Sequence, residues 1–460
     1  MSGETTEKQD VAMAAGVDLD TTNDEILLAA TNHDIETLRR LLGSDVGAAN
    51  VQDPDTGFAP LHAAVAACEA DDEEMKDADG EGGLVHGAAL GEESCLQTVQ
   101  LLFENGAIWN ELDNNDETPG CIANRLKLKT VYEAIVQAGM RAELLFNRLD
   151  AFAPLVEEDS EEEDEDEKIE GFEPSPAGVE VPVATGNGDV HDPVEGFEPT
   201  PNPSKDAAAD ETDSSVPTLV QTTANGETVQ PTELANPNVN SEDYLASDLE
   251  YSGDRLLDSD KNAVMMDWET EIMFKSVDKL VGDRTGLRTM NVGFGMGIVD
   301  GAFLAKDPAM HHIIEAHPQV HKRMRENGWY DKPNVTVHEG RWQDILPKLV
   351  EEGVVLDGIY FDTYAEDYKD LKIFFQDYVI ALLDSKGLFG FYNGLGADRQ
   401  VCYDVYTRIV EIDLFEAGMD TEWIDIQVPD LDSKDEWKGV RHKYWDNVNP
   451  YRLPTCKFLG

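Results

Sequence analysis

Between Asp24 and Gly139 apolar residues return every three or four positions in short runs: EILLAATNHDIETLRRLL, GFAPLHAAVAAC, CLQTVQLLFENGAIWN and DETPGCIANRLKLKTVYEAIVQAG. That spacing, with Gly, Pro, Asn and Asp between the runs, predicts short helices joined by turns. The pattern changes in the second half of the chain. Leu287–Val292, His312–Glu315, Val335–His338 and Leu356–Asp362 read as strands and alternate with helix-like stretches such as Ile298–Ala305. Such alternation predicts a mostly parallel sheet covered by helices. Gly387–Asn393 continues the sheet, and Trp423–Pro429 with Arg441–Tyr444 reads as a late antiparallel hairpin.

The first half carries a repeat. Gly57-Phe58-Ala59-Pro60-Leu61-His62-Ala63-Ala64 resembles the ankyrin turn-and-helix start, Asp116–Ala123 is similar to a degenerate copy, and Leu101–Ala107 resembles the end of a repeat's second helix. His62 and Cys121 are 59 residues apart, against a usual period of about 33, and the excess falls in an acidic, Gly-rich insertion, residues 69–91. The resemblance implies an all-α, ankyrin-like domain over residues 22–150, near the minimum size that buries its own faces and so suited to docking on the second domain. Residues 151–240 are expected to be an acidic, disordered linker, since Glu157–Glu167 holds ten acids in eleven positions and few large apolar residues follow. Within it Glu170-Gly171-Phe172-Glu173-Pro174-Ser175-Pro176 recurs as Glu195–Pro201, either a paired docking peptide, with Ser175 and Thr200 open to phosphorylation, or a local duplication. The α/β domain occupies residues 241–460.

Charge narrows the choice of partners. The chain holds 94 acids and 35 bases, a net charge of −59, of which residues 1–240 carry −42. So acidic a surface disfavours direct nucleic acid binding and favours a basic protein partner. The start, MSGETTEKQD, lacks an apolar signal core, and no run of about 18 apolar residues occurs, so neither secretion nor a membrane span is expected. Cys68, Cys95, Cys121, Cys402 and Cys456 are odd in number and lack CxxC spacing, which predicts free thiols. His311, His312, His317 and His321 fall close together, but the strand ends at Glu315 and Pro318 interrupts any helix through His317, so no metal site is expected.

Chemistry concentrates around Gly293-Phe294-Gly295-Met296-Gly297. This strand, glycine turn and helix brings backbone amides close to a ligand, and Glu315 follows Gly293 by 22 residues, near the spacing at which a carboxylate takes a ribose diol. Both NAD and S-adenosylmethionine suit that arrangement. The absence of GxGxxG spacing, with Ile298 at the third small position, and the late antiparallel strands favour the second. Five segments in series, Val264–Thr270, Val292–Met296, Ile313–Glu315, Gly340–Asp344 and Tyr360–Tyr364, resemble guanidinoacetate N-methyltransferase. With the ankyrin-like and acidic segments in front, the whole chain resembles the fungal protein arginine N-methyltransferase 2 family, which methylates the delta nitrogen of arginine. The resemblance implies a class I S-adenosylmethionine-dependent methyltransferase with a Rossmann-like sheet, acting on a protein substrate. It implies that Gly293, Phe294, Gly295, Met296, Gly297, Ile298 and Val299 wrap the methionine part and that Glu315 takes the ribose. Ala316, His317, Trp342 and Gln343 would border the adenine, while Tyr244, Met265 and Met273 close the pocket and Asp362 touches both cofactor and substrate. Asn291 departs from the acid that many such enzymes carry before the turn, and Ala365–Lys369 does not match the small-molecule enzyme.

The reaction itself would fall to Glu269 and Asp362. A guanidinium is planar, delocalised and protonated, so no nitrogen is nucleophilic until carboxylates hold its charge on two nitrogens and leave electron density on the third. Two alternatives stand beside this reading: a guanidino methyltransferase acting on a small molecule, and an acidic binding scaffold whose methyltransferase fold is inert. A monomer in cytoplasm and nucleus completes the expectation, as does independent folding of the part after residue 240, where all these motifs lie.

Overall fold

The computed structural model describes residues 22–43, 47–68, 88–150, 221–222, 228–229, 240–441 and 443–460. The chain divides into Phe152–Leu219, which lies outside the described residues together with the acidic run and both heptamers, and a unit made of Met1–Ala151 and Val220–Gly460.

That unit begins with helices α1 (Thr22–Thr31), α2 (Ile35–Leu42), α3 (Pro60–Ala66), α4 (Ala88–Glu104), α5 (Pro119–Arg125) and α6 (Lys129–Asp150). The turn chemistry sets their starts. Asp34 caps α2 by accepting the Thr37 amide at 3.1 Å, and Thr118 caps α5 by accepting the Cys121 amide at 3.2 Å. Both α3 and α5 open on proline, whose missing N–H would be unpaired there in any case. Buried His62 ties the two turns together: Nδ1 accepts the Ala59 amide at 3.2 Å, and Nε2 meets the Glu117 carbonyl at 3.2 Å.

Two expectations are corrected here. The helix α4 starts at Ala88, inside the expected insertion 69–91, whose residues 69–87 lie outside the described ones. Cys68 and Cys95 are joined as a disulfide, with Cα atoms 5.8 Å apart, so Cys121, Cys402 and Cys456 alone are free. Spacing along the chain did not reveal the pair because the end of α3 meets the middle of α4 only after the helices pack. His33 lies within 4.8 Å of both sulfurs, the one group of metal-ligating character among the described residues, but the sulfurs are bonded to each other.

After a two-residue antiparallel pair, β1 (Gln221–Thr222) with β2 (Thr228–Val229), and a short helix α7 (Ser241–Ala246), three strands form a small antiparallel sheet: β3 (Glu250–Ser252), β4 (Arg255–Leu257) and β5 (Ala263–Met266). Helix α8 (Thr270–Val281) leads into the main sheet: β6 (Arg288–Val292), α9 (Ile298–Leu304), β7 (Met310–Glu315), α10 (Pro318–Glu326), β8 (Val335–Glu339), α11 (Trp342–Glu351) and β9 (Leu356–Phe361). The chain continues through α12 (Tyr368–Ile373), a π-helical turn and α13 (Ile380–Leu382) into β10 (Leu383–Phe391). It ends with α14 (Gln400–Glu416), β11 (Met419–Ile426) and β12 (Tyr451–Phe458). Seven strands lie in the order β11-β12-β10-β9-β6-β7-β8, with β12 antiparallel to both neighbours and the rest parallel. The hairpin partner of β11 is β12, not Arg441–Tyr444, because Ile426 pairs with Tyr451 and residues 427–450 leave the sheet as a strap.

The chain runs from β6 outward to β8 and then returns to β9 on the other side of β6, which opens a crevice at the carboxyl ends of these strands. Register fixes what stands there. Val292 is level with Ile314 on one side and Phe361 on the other, so the next residues, Gly293, Glu315 and Asp362, form one row.

The helices of the first part are packed onto α14. Gly120 permits close approach, since a Cβ there would fall 2.6 Å from Val401. Around the buried Val401, Val405 and Ile409, Tyr132 donates to Asp404 at 2.7 Å and Arg408 grips Glu133 through two bonds of 2.6 and 2.8 Å. Burying each such apolar side chain stabilises by about 1.5–3 kcal/mol, so the α/β part is not self-contained on this face.

Candidate active site

The crevice is a cleft, and eight of the residues singled out by sequence line it: Tyr244, Met265, Gly293, Gly295, Glu315, Ala316, Trp342 and Asp362. Gly293 has φ +91°, and a Cβ on it would come within 1.9 Å of the Asp362 carbonyl oxygen, so no side chain fits there. Its amide donates to Ile314 and that of Asp362 to Val292, both at 2.9 Å, which continues the sheet to the edge of the cleft.

Glu315 is buried and held from behind: Oε2 accepts the Phe294 amide at 2.9 Å and Oε1 accepts the His317 amide at 2.7 Å. Beneath the turn runs a sealed network. Asn291 donates to the Gly293 carbonyl at 2.8 Å and to Asp300 at 3.0 Å, and His311 bridges Asp300 at 2.9 Å and Thr289 at 2.8 Å. Asn291 thus braces the turn from below, which accounts for an amide where many related sites carry an acid.

Other expected residues serve the cleft without lining it. Phe294 turns its ring into an apolar cluster with Ile313, Val320 and Met324, edge-on to Trp329 at 5.0 Å, and only its amide faces Glu315. Val299 is buried and Ile298 and Met296 partly buried beside Met265 and Met273, while Gly297 caps α9. The cause is general: along a strand, turn and helix the backbone amides face the ligand while apolar side chains are drawn into the layers on either side. Met273 is fully buried behind Met265, whose Sδ receives the Met296 amide at 3.2 Å. His317 caps α10 and touches the Tyr244 carbonyl through Nε2 at 3.1 Å; burial pushes its pKa down. Among the neighbouring histidines, His312 shares a 2.9 Å bond with His338 and His321 meets the Glu315 carbonyl at 2.8 Å.

Glu366, passed over in the unmatched segment Ala365–Lys369, also lines the cleft. Trp342 Nε1 donates to both its oxygens at 3.0 Å and Gln343 Nε2 donates to one at 3.1 Å, so Gln343 borders the site through Glu366. Tyr364 stands on the same wall, edge-on to Tyr244 at 4.9 Å, with a buried hydroxyl that has no partner. Tyr364 closes the segment Tyr360–Tyr364 already singled out, whereas no short-range pattern marks Glu366.

The two carboxylates differ in setting. Asp362 as a residue is only partly buried, at the wall of the cleft, yet its Oδ2 is sealed and has no hydrogen-bond partner. Desolvation, then the nearby charges of Glu269 and Asp300, push its pKa well above the usual carboxylate range. Glu269 closes a 3₁₀ turn (Asp267–Glu269) ahead of α8 and is buried behind the cleft. Its Oε2 accepts the Met266 amide at 3.0 Å and its Oε1 the Tyr444 hydroxyl at 2.9 Å; burial outweighs these bonds and raises its pKa too. A pair of desolvated carboxylates sharing one region is poised for a cation, because a cation relieves both burial and mutual repulsion.

Residues 241–444 match the guanidinoacetate N-methyltransferase family. Protein arginine N-methyltransferase 2 of Aspergillus fumigatus is 50% identical over 453 residues, spanning 96% of this chain and 98% of the relative. The protein of that name from Neurospora crassa is 41% identical over 450 residues, spanning 95% of both chains. Among solved structures, the O-methyltransferase TomG from Streptomyces achromogenes in complex with SAM aligns with a TM-score of 0.30 at 15% identity, over 43% of this chain and 82% of that one.

Proposed function

The chain belongs to the protein arginine N-methyltransferase 2 family, and we propose that its cleft directs the methyl group of S-adenosylmethionine to the internal delta nitrogen of an arginine in a protein substrate. The part after residue 240 is a class I S-adenosylmethionine-dependent methyltransferase fold, and the protein is a methyltransferase.

The observation that carries the reading is Asp362, a buried carboxylate oxygen without a partner, level with the glycine turn and backed by Glu269. The residues fit the cofactor. Gly293 lets the turn pass against the Asp362 backbone at the edge of the cleft, and Glu315, each of whose oxygens accepts one backbone amide, keeps unused lone pairs for the ribose hydroxyls. Ala316, Trp342 and the Trp342–Glu366 clamp would bound the adenine. When bound, S-adenosylmethionine supplies an electrophilic methyl on a sulfonium.

Asp362 and Glu269 would take the guanidinium by charge-assisted hydrogen bonds, hold its positive charge on two nitrogens and aim the third along the methyl–sulfur axis. Transfer of that methyl would release a proton from the methylated nitrogen, which one of the two carboxylates would take. The two ionised carboxylates outweigh the single charge of the guanidinium, so one negative charge remains to take that proton. A net charge of −59 supports a basic protein as substrate. An ankyrin-like character for residues 22–150, a monomeric state and placement in cytoplasm and nucleus belong to the same proposal, supported by the family resemblance.

The test is to supply the purified full-length chain with methyl-labelled S-adenosylmethionine and a protein extract, then fragment the labelled amino acid by mass spectrometry. Label on the internal nitrogen of arginine is expected. Label on a terminal nitrogen would overturn the assignment of the delta position, and label confined to a small guanidino compound would overturn the protein substrate.

A further inference from the structure

The strap between β11 and β12, described over residues 427–441 and 443–450, reaches back across the fold to Glu269. Its path is firmly built. Trp445 is 1% exposed, its indole nitrogen donates to the Val448 carbonyl at 3.0 Å, and its ring lies edge-on to Tyr403 at 5.4 Å. The Arg441 amide donates to the Lys261 carbonyl at 2.8 Å, which ties the strap to the small sheet, and the Asp446 amide donates to Ala397 at 2.9 Å. Between these anchors Tyr444 is clamped, edge-on to Trp437 at 5.0 Å and stacked at 6.2 Å on Trp268, the neighbour of Glu269.

From this geometry we infer that Tyr444 is a positioning residue for methyl transfer: its hydroxyl, 2.9 Å from Glu269 Oε1, fixes the plane of the carboxylate that receives the guanidinium. The inference rests on the arginine reading above. Two donors hold Glu269 from two directions, the Met266 amide on Oε2 and Tyr444 on Oε1, and two is the number needed to stop a carboxylate rotating about its last bond. The Met266 bond comes from within the same turn, whereas Tyr444 comes from 175 residues further along the chain. The strap therefore adds to the strand-end residues Gly293, Glu315 and Asp362 a hydroxyl bonded to Glu269 Oε1.

The groups facing Glu269 are Met266 from its own turn, Tyr360 and Asp362 from β9 and the residue after it, Tyr392 beyond β10, and Tyr444 from the strap. Burial and the charge of Glu269 push the Tyr444 hydroxyl well above its ordinary value, so it stays protonated and remains the donor. Its bond favours the ionised carboxylate against the burial that disfavours it. Without that bond Glu269 would hold its proton to higher pH.

Tyr444→Phe keeps the stacked ring and removes only the bond. In the full-length chain, with protamine as an arginine-rich acceptor, kcat is expected to fall on the order of tenfold, with the dissociation constant for S-adenosylhomocysteine unchanged. The acid limb of the rate profile should move to higher pH. A second arm needs no acceptor. Glu269 loses stability as pH rises from its unfolded pKa through its raised folded value, so in Tyr444→Phe the urea midpoint should go on falling to higher pH than in the parent. In a Glu269→Gln background the Tyr444→Phe change should leave that pH dependence unaltered. A Phe variant with the parent's pH profiles, or one that shifts them equally in the Gln background, would show that the strap only packs. If the parent protein transfers no methyl to protamine, the arginine-rich substrate class falls, and the acceptor-free arm still decides the role of Tyr444.

Discussion

Replacing Asp362 with Asn should make the protein more stable at neutral pH and slower in methyl transfer, and the two effects have one cause. Oδ2 of Asp362 is sealed from water without a partner, beside Glu269 and Asp300, so the folded protein keeps a proton that the unfolded chain releases near pH 3.8. A carboxyl whose folded pKa is raised contributes its full stability below the unfolded pKa and loses it as pH rises through the folded value. For one proton the loss is about 1.4 kcal/mol per pH unit across that window. Asn has nearly the same shape and cannot ionise, so Asp362→Asn should flatten this part of the curve and exceed the parent in stability above the window. Methyl transfer requires the charged form. Losing a charge-assisted bond to the guanidinium costs about 1.5–3 kcal/mol, or roughly ten- to 150-fold in rate. Urea midpoints of the two full-length proteins between pH 4 and 8, with initial rates of methyl transfer, provide the measurement. Identical pH slopes would refute the burial argument, and a rate like the parent's would remove Asp362 from the chemistry.

Other outcomes follow from the same geometry. Glu315→Ala should weaken S-adenosylhomocysteine binding at least tenfold by calorimetry, because the ribose loses a charged acceptor and the Phe294 and His317 amides lose theirs; an unchanged constant would exclude Glu315 from the cofactor site. Gly293→Ala should abolish that binding and lower the melting temperature, since its Cβ would stand 1.9 Å from the Asp362 carbonyl oxygen at φ +91°. In the parent protein the acid limb should lie at higher pH in kcat/KM than in kcat, because a bound guanidinium draws the raised pKa of Asp362 downward; coincident limbs would mean that Asp362 does not meet the cation. Removing residues 1–240 should leave a destabilised, aggregation-prone domain rather than an independent one, since Val401, Val405 and Ile409 of α14 would lose the cover of α5 and α6; a monomer with the full chain's urea midpoint would contradict this.

The sequence by itself determined what lies within one strand and its following turn. Val292 leads into a turn that must be glycine, Ile314 into Glu315 and Phe361 into Asp362, and each was legible because a strand's end and the residue after it are separated by a single peptide bond. Parallel pairing then set the three side by side, as the alternation of strands and helices had implied. Side-chain direction was less legible: Phe294, Val299 and Met273 belong to the neighbourhood but serve the core, since sequence proximity to a turn does not say which layer an apolar group joins. Tertiary structure alone decided the rest. Tyr444 meets Glu269 across 175 residues, Tyr132 meets Asp404 across 272, and Cys68 meets Cys95 across two helices. These contacts arise from the packing of whole elements, whose relative placement depends on burying many apolar faces at once rather than on any local pattern. Hence the row of Gly293, Glu315 and Asp362 at the sheet edge was readable along the chain, and the contacts behind Glu269 became visible only in three dimensions.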